Sequence, residues 1–235
     1  MIRWIGWMML TALLGAGQFT SPQRAMSPLS SGSTARTYVT GCALQTSSTS
    51  SACAATVSAG NTVVVFGSNA NTNTLTLTHS ASSGTVSGST CTTWASGARN
   101  ICYWTVAGYA ESGSDTFTLS ASTGTALTVV AMVASGGSLD ASATQFSSSS
   151  STTALTGATV TTTAANELVF FYAQQGGASS GTVTCSSSPI ALTAVENPTL
   201  SIEGCYGSVA TAGSTNAAAT STAAVLNVTA TAGVK

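Results

Sequence analysis

Residues 61 to 69 read NTVVVFGSN, and the fold turns on how this stretch is read. Apolar and small polar residues alternate around a Val-rich centre, and Gly, Ser and Asn follow as punctuation, which is the signature of a short β-strand. The same alternation recurs in TLTLTHS (74 to 80), DTFTLSAS (115 to 122), ALTVVAMVAS (126 to 135) and NELVFFYAQ (166 to 174). Beyond residue 30 no stretch carries a 3.6-residue period. Even the Ala-rich NAAATSTAA (216 to 224) has Thr and Ser neighbours that favour a strand filled with small residues. The run from Ser147 to Ser151 reads as a loop near the middle. Many short strands at this spacing predict an all-β chain folded as a jelly-roll-like β-sandwich.

The second half can be laid over the first. NTVVVFGSNAN at 61 matches NELVFFYAQQG at 166, and TVSGSTC ending at Cys91 matches SSGTVTC ending at Cys185. ICYWTVAGYAESGSDT at 101 matches GCYGSVATAGSTNAAA at 204, and TALTVVAMVASG matches AAVLNVTATAG. The expected organisation is therefore one domain over 36 to 235 with related halves at about 60 to 136 and 165 to 235, interleaved as layers because four or five strands bury their own face poorly.

Six cysteines fall at Cys42, Cys53, Cys91, Cys102, Cys185 and Cys205, with no Cys-x-x-Cys spacing. An even count behind an export-type leader reads as a disulfide framework. Proximity and the repeat favour Cys42 with Cys53, Cys91 with Cys102 and Cys185 with Cys205, each expected to staple a hairpin. In the chain-entropy picture such closures are worth about 3 kcal/mol each. The leader is MIRWIGWMMLTALLGAGQF over 1 to 19, where Arg3 precedes an apolar stretch from Trp4 to Leu14 and small residues at Gly15 and Gly17 suit a peptidase site. Residues 1 to 17 are expected to be a signal peptide and 18 to 35 a flexible lead-in. The apolar stretch is shorter than the roughly 20 residues of a membrane span, so the mature chain is expected to keep none.

Composition narrows the function. The chain holds 38 Ser and 41 Thr, so 79 of 235 residues carry a small hydroxyl, against five Lys or Arg and six Asp or Glu. Arg3, Arg24, Arg36, Arg99 and Lys235 cannot make the basic stripe that phosphate neutralisation needs, which excludes nucleic acid as a partner. One histidine, His79, leaves little for acid–base work or metal ligation. His79 could partner a serine with Asp115 or Asp140 as third member, but no Gly-x-Ser-x-Gly elbow is present, and no catalytic residue is assigned. Glu111 and Asp115 are the close acid pair from which a calcium loop would be built, but a solvated turn is the plainer reading, so neither metal nor cofactor is expected. Trp94, Tyr103, Trp104 and Tyr109 crowd into sixteen residues and are the candidate ligand-binding rings, since sugars dock against flat aromatic faces. Tyr103 and Trp104 must point to opposite sides of a sheet, so one of them belongs to the core.

The order GNTVVVF, STCTTWASG, ICYWTVAG, DTFTLSAS, VVAMVASGGSLDASA, TTTAANELVFFYAQ and VLNVTATAGVK resembles a loose group of secreted bacterial β-sandwich domains, some of them recurring in phage and surface proteins. The resemblance spans about residues 38 to 235. It implies the sandwich fold and brings no activity or site residue with it. Where that group would place an acid before the glycine of a turn, this chain has Ala134, Ser135 and Gly136. The expectation is an exported, non-catalytic surface, adhesive or structural module, with itself or a surface glycan as partner. The alternative is a carbohydrate-binding module using aromatics near Trp94 and Trp104.

Overall fold

Thr62 to Asn69 form a strand in which every residue is buried, with Val63, Val64, Val65 and Phe66 all at 0% exposure. A continuous apolar run of this kind suits a strand covered on both faces, and its β-branched side chains pack well on a pleated surface. The computed structural model describes residues 34–94, 99–123, 126–176, 181–195 and 202–235, and the side chains of 94, 149–151, 176 and 225 are outside this set. The sequence-predicted signal peptide, and all but the last two residues of the lead-in, fall outside the described residues.

In chain order the strands are β1 (Tyr38–Thr46), β2 (Ser50–Val57), β3 (Thr62–Asn69), β4 (Leu75–His79), β5 (Thr85–Trp94), β6 (Arg99–Ala107), β7 (Gly113–Ala121) and β8 (Leu127–Ala134). They continue as β9 (Leu139–Thr156), β10 (Val160–Thr162), β11 (Glu167–Gly176), β12 (Val183–Cys185), β13 (Thr193–Ala194), β14 (Ile202–Val209), β15 (Gly213–Thr215) and β16 (Ala218–Val234). The described residues are all-β, and every strand pairing is antiparallel.

A first large sheet has the order β1-β8-β3-β6-β5, and β2-β7-β4 form a three-stranded sheet against it. A second large sheet has the order β12-β16-β11-β14-β13 with β9 on the other side of β16, and β10-β15 form a two-stranded ribbon. Each sheet draws its strands from one half of the chain. The two large sheets stack face to face over a shared core.

Alternation sorts the side chains into three cores. Val63, Val65, Trp104, Val129 and Val133 meet Phe117, Leu119 and Leu77 between the first large sheet and its three-stranded neighbour. Val64, Phe66, Ile101, Tyr103 and Met132 meet Phe170, Tyr172, Ile202 and Val228 between the two large sheets. Val169, Phe171, Leu155 and Ile190 make a third cluster on the far face of the second sheet. At about 1.5–3 kcal/mol for each large side chain buried, a thin supply of big residues is made to serve by covering both faces of each large sheet. Where the two large sheets meet, the core also carries a polar knot. Ser68 Oγ lies 2.9 Å from the Tyr172 hydroxyl and hydrogen-bonds Gln174 Oε1, which also accepts from Tyr172 at 3.0 Å, and Gln174 Nε2 donates to Thr128 Oγ1 at 3.2 Å.

The Ser147 to Ser151 run is not a loop but the middle of β9, where Ser147, Ser148 and Ser149 stand opposite Thr229, Val228 and Asn227. Ladder hydrogen bonds along β16 hold extended a stretch whose own residues favour turns. The disulfides join Cys42 to Cys53, Cys91 to Cys102 and Cys185 to Cys205. Only the second is a hairpin staple, with Cys91 directly opposite Cys102 and their Cα atoms 4.1 Å apart. Cys42–Cys53 instead ties β1 of the first large sheet to β2 of the three-stranded sheet, and Cys185–Cys205 joins β12 to β14, which do not pair. Among the described residues no helix is long and apolar enough to cross a membrane.

Candidate functional site

The aromatic residues singled out in the sequence do not share a surface. Tyr103 and Trp104, consecutive on β6, are 8% and 3% exposed and belong to different cores. Tyr109 is 4% exposed. Trp94 ends β5, and its side chain lies outside the described residues. Alternation does send the neighbouring rings to opposite faces, but both faces of this sheet are covered, so neither ring is left facing water. The expected platform is corrected accordingly.

His79 and Asp115 are brought together as the sequence allowed, with His79 Nδ1 2.9 Å from Asp115 Oδ2 at the β4–β7 edge. The Tyr109 hydroxyl donates to the same oxygen at 2.6 Å, and the Ser80 and Ala81 amides each donate to Oδ1 at 2.9 Å. Burial alone would raise Asp115, but the Tyr109 hydroxyl, these amides and His79 outweigh it and hold the carboxyl below its ordinary range. Burial and the hydrogen bond to Asp115 push the Tyr109 phenol up. The nearby serine hydroxyl, Ser80 Oγ, also turns to Asp115. Asp115 is thus a clasp that fastens the chain after β4 onto β7, and no described hydrogen bond joins His79 to a serine. Glu111 is exposed while Asp115 is fully buried, so the two acids do not converge as a calcium loop would need.

A second charged cluster, unforeseen as a unit, lies at one end of the second large sheet. Asp140 and Glu167 are 1% and 0% exposed. Lys235 Nζ lies 3.5 Å from Asp140 Oδ1 and donates to Thr163 Oγ1 at 2.9 Å. Thr163 donates its amide to Asp140 Oδ2 at 2.9 Å, and its hydroxyl bonds the same oxygen. Glu167 Oε2 accepts the amides of Thr163 at 3.2 Å and Ala164 at 3.4 Å, while Oε1 is buried with no hydrogen-bond partner. Burial, then the charge of Asp140, raises Glu167 to about 7. Burial would also raise Asp140, but Thr163, Ser142 and Lys235 together hold it low. Sequence reading weighed Asp140 only beside His79 and passed over Glu167; the signal for Glu167 was an acid set directly against the apolar run LVFFYA.

Cys185, Glu203 and Cys205 also come within 4.8 Å of one another. Both sulfurs are bonded to each other, which removes the thiolates a metal would need. A recess of about 430 Å³ opens instead beside Arg36, Tyr38, Leu168, Thr193 and Tyr206. Tyr38 and Tyr206, both half-buried, stack there with ring centroids 3.8 Å apart and planes 12° from parallel. This pair opens to a surface recess, and its partners are too far apart in sequence for local spacing to reveal it.

Comparison of the chain with protein families, with curated proteins and with solved structures finds no match, so the residues themselves carry the functional reading.

Proposed function

We propose that this chain is an exported, non-catalytic β-sandwich that serves as a surface, adhesive or structural module, of the kind the secreted bacterial domains noted above represent. The observation that carries the reading is where the chemistry goes. Asp115, Asp140, Glu167, Tyr103, Trp104 and Tyr109 are all buried, and the two best-bonded acids fasten strands and loops together. What faces outward is hydroxyl: on β4, Thr76 and Thr78 are exposed while Leu75 and Leu77 are buried. Three disulfides fit an oxidising compartment. A related-halves architecture belongs to this reading, supported by β3 lying between β8 and β6 as β11 lies between β16 and β14, although β5 and β12, matched in sequence, differ in place, since β5 pairs β6 and β12 pairs β16. A skin so poor in charge lacks colloidal repulsion and favours self-association along sheet edges.

Cell fractionation with microscopy tests the placement: wall-bound or fibrous material supports the module, and retention in the cytoplasm ends it. Sedimentation at high concentration tests assembly, with larger species expected and a strictly monomeric profile counting against it. The second reading, a carbohydrate-binding module, is favoured by the Tyr38–Tyr206 recess, where Arg36 and Thr193 add hydrogen-bonding groups to apolar ring edges. It requires Tyr206→Ala to abolish retention on an insoluble polysaccharide without unfolding the protein.

A further inference from the structure

Lys235 is the single lysine of the chain, and it meets a buried acid that shares the Thr163 amide with a second buried acid. The strands place them side by side. β16 runs between β9 and β11, with Gly233 opposite Asp140 on one side and Val234 opposite Leu168 on the other, so residues 140 and 167 flank the end of β16 that Lys235 directly follows. Lys235 Nζ stands 3.5 Å from Asp140 Oδ1, one bond short of the Cγ atom. Glu167, like Asp140, accepts the Thr163 amide, and its Oε1 is buried with no hydrogen-bond partner. Asp115 differs: its hydrogen-bonding partners are a phenol, an imidazole, amides and a hydroxyl, with no amine among them.

We propose that Lys235 and Asp140 condense into an intramolecular amide that joins the end of β16 to β9, with Glu167 transferring the protons. The Lys235 ammonium first passes one proton to the Asp140 carboxylate; the freed Nζ lone pair then attacks Asp140 Cγ, an N–C bond forms, and one Cγ–O bond breaks. Glu167, as the carboxylic acid, gives a proton to the departing oxygen, and as the carboxylate takes one from the nitrogen, so it ends unchanged. An ammonium and a carboxylate become a secondary amide and one water, with nothing oxidised or reduced and no co-reactant needed. Burial of both carboxyls disfavours the reverse hydrolysis, while Lys235, at 38% side-chain exposure, leaves a route for the water to depart. The proton that Glu167 retains up to about pH 7 is the one the step requires. Thr163 holds the two partners beside each other by hydrogen-bonding both.

The test is the intact mass of the purified full chain, fully reduced, after its N-terminus has been sequenced. The mass should fall short of the sequence mass by one water, and digestion should yield a branched peptide joining the Lys235 end to the segment bearing Asp140. Lys235→Arg keeps the ion pair but offers no amine for this bond, and it should restore the full mass. Glu167→Gln should restore it too. A wild-type mass equal to the sequence mass overturns the proposal, as does a missing water that persists in Lys235→Arg. A cross-link surviving in Glu167→Gln would remove Glu167 from the step. The wild-type and Lys235→Arg masses decide the bond even where Glu167→Gln fails to fold.

Discussion

The carboxyl of Glu167 fills the space beside Gly233 in which any other residue would place its Cβ. The Ala143 side chain also crowds that position, at 2.6 Å from where the carbon would sit. Glycine is therefore required here for close approach, not for an unusual backbone angle.

Gly233→Ala should accordingly destabilise the fold by about 1–3 kcal/mol, the usual cost of forcing extra volume into a packed site. Chemical denaturation would show a lower midpoint with an unchanged slope, and a variant as stable as the parent would mean that the carboxyl moves aside freely.

Glu203 on β14 is 3% exposed, its Oε1 has no hydrogen-bond partner, and burial raises it from an ordinary 4.5 to about 7. Between those values the folded chain holds a proton that the unfolded chain has released, so stability falls as pH rises from about 4.5 to about 7 and levels off above. Glu167 adds to the same slope, while Asp115, held low, loses its contribution only as pH drops below its ordinary 3.8. Glu203→Gln should make the decline between pH 4.5 and 7 visibly shallower in denaturation midpoints taken across that range. An unchanged slope would show that the carboxyl is better solvated than its burial implies.

Trp104→Ala should cost about 3–5 kcal/mol, because the ring is buried in the core beneath the three-stranded sheet and leaves a cavity behind. Tyr206→Ala, at the mouth of the recess, should cost clearly less. Thermal or denaturant unfolding of the two variants checks the order, and a reversed ranking would place the first ring at the surface.

Replacing Cys42 and Cys53 together by Ser should lower stability by about 3 kcal/mol through the entropy returned to the unfolded chain. Because this bond joins two sheets, hydrogen exchange should also quicken along β2 relative to β6. Uniform acceleration would point to a purely unfolded-state effect.

Much of this architecture can be read from the chain. NTVVVFGSN and NELVFFYAQ announce their strands through β-branched and aromatic runs, and the two became the central strands of the two large sheets. Their unbroken apolar character also held the clue to burial on both faces, which alternation alone does not convey. Because that clue concerns sheet stacking, Trp104 looked available in sequence and is enclosed in the fold. The Ser147 to Ser151 run misleads for the opposite reason: its residues favour turns, and only the long-range ladder with β16 straightens them. Lys235, Asp140 and Glu167 are far apart along the chain, and only the register of β9, β16 and β11 brings them together. The cysteine pairs were legible from proximity, but which strands they would connect depended on sheet membership that no local pattern specifies.

Among the described strands, β16 takes an interior place with β9 on one flank and β11 and β12 on the other. A chain emerging from its N-terminus can complete the first large sheet while synthesis of β16 is still under way. The second cannot close until its last segment arrives, and β9 and β11 must wait, open, for the strand that separates them. Loss of β16 alone would therefore leave β9 and β11 without the strand between them, which makes truncations within it far more damaging than their length suggests.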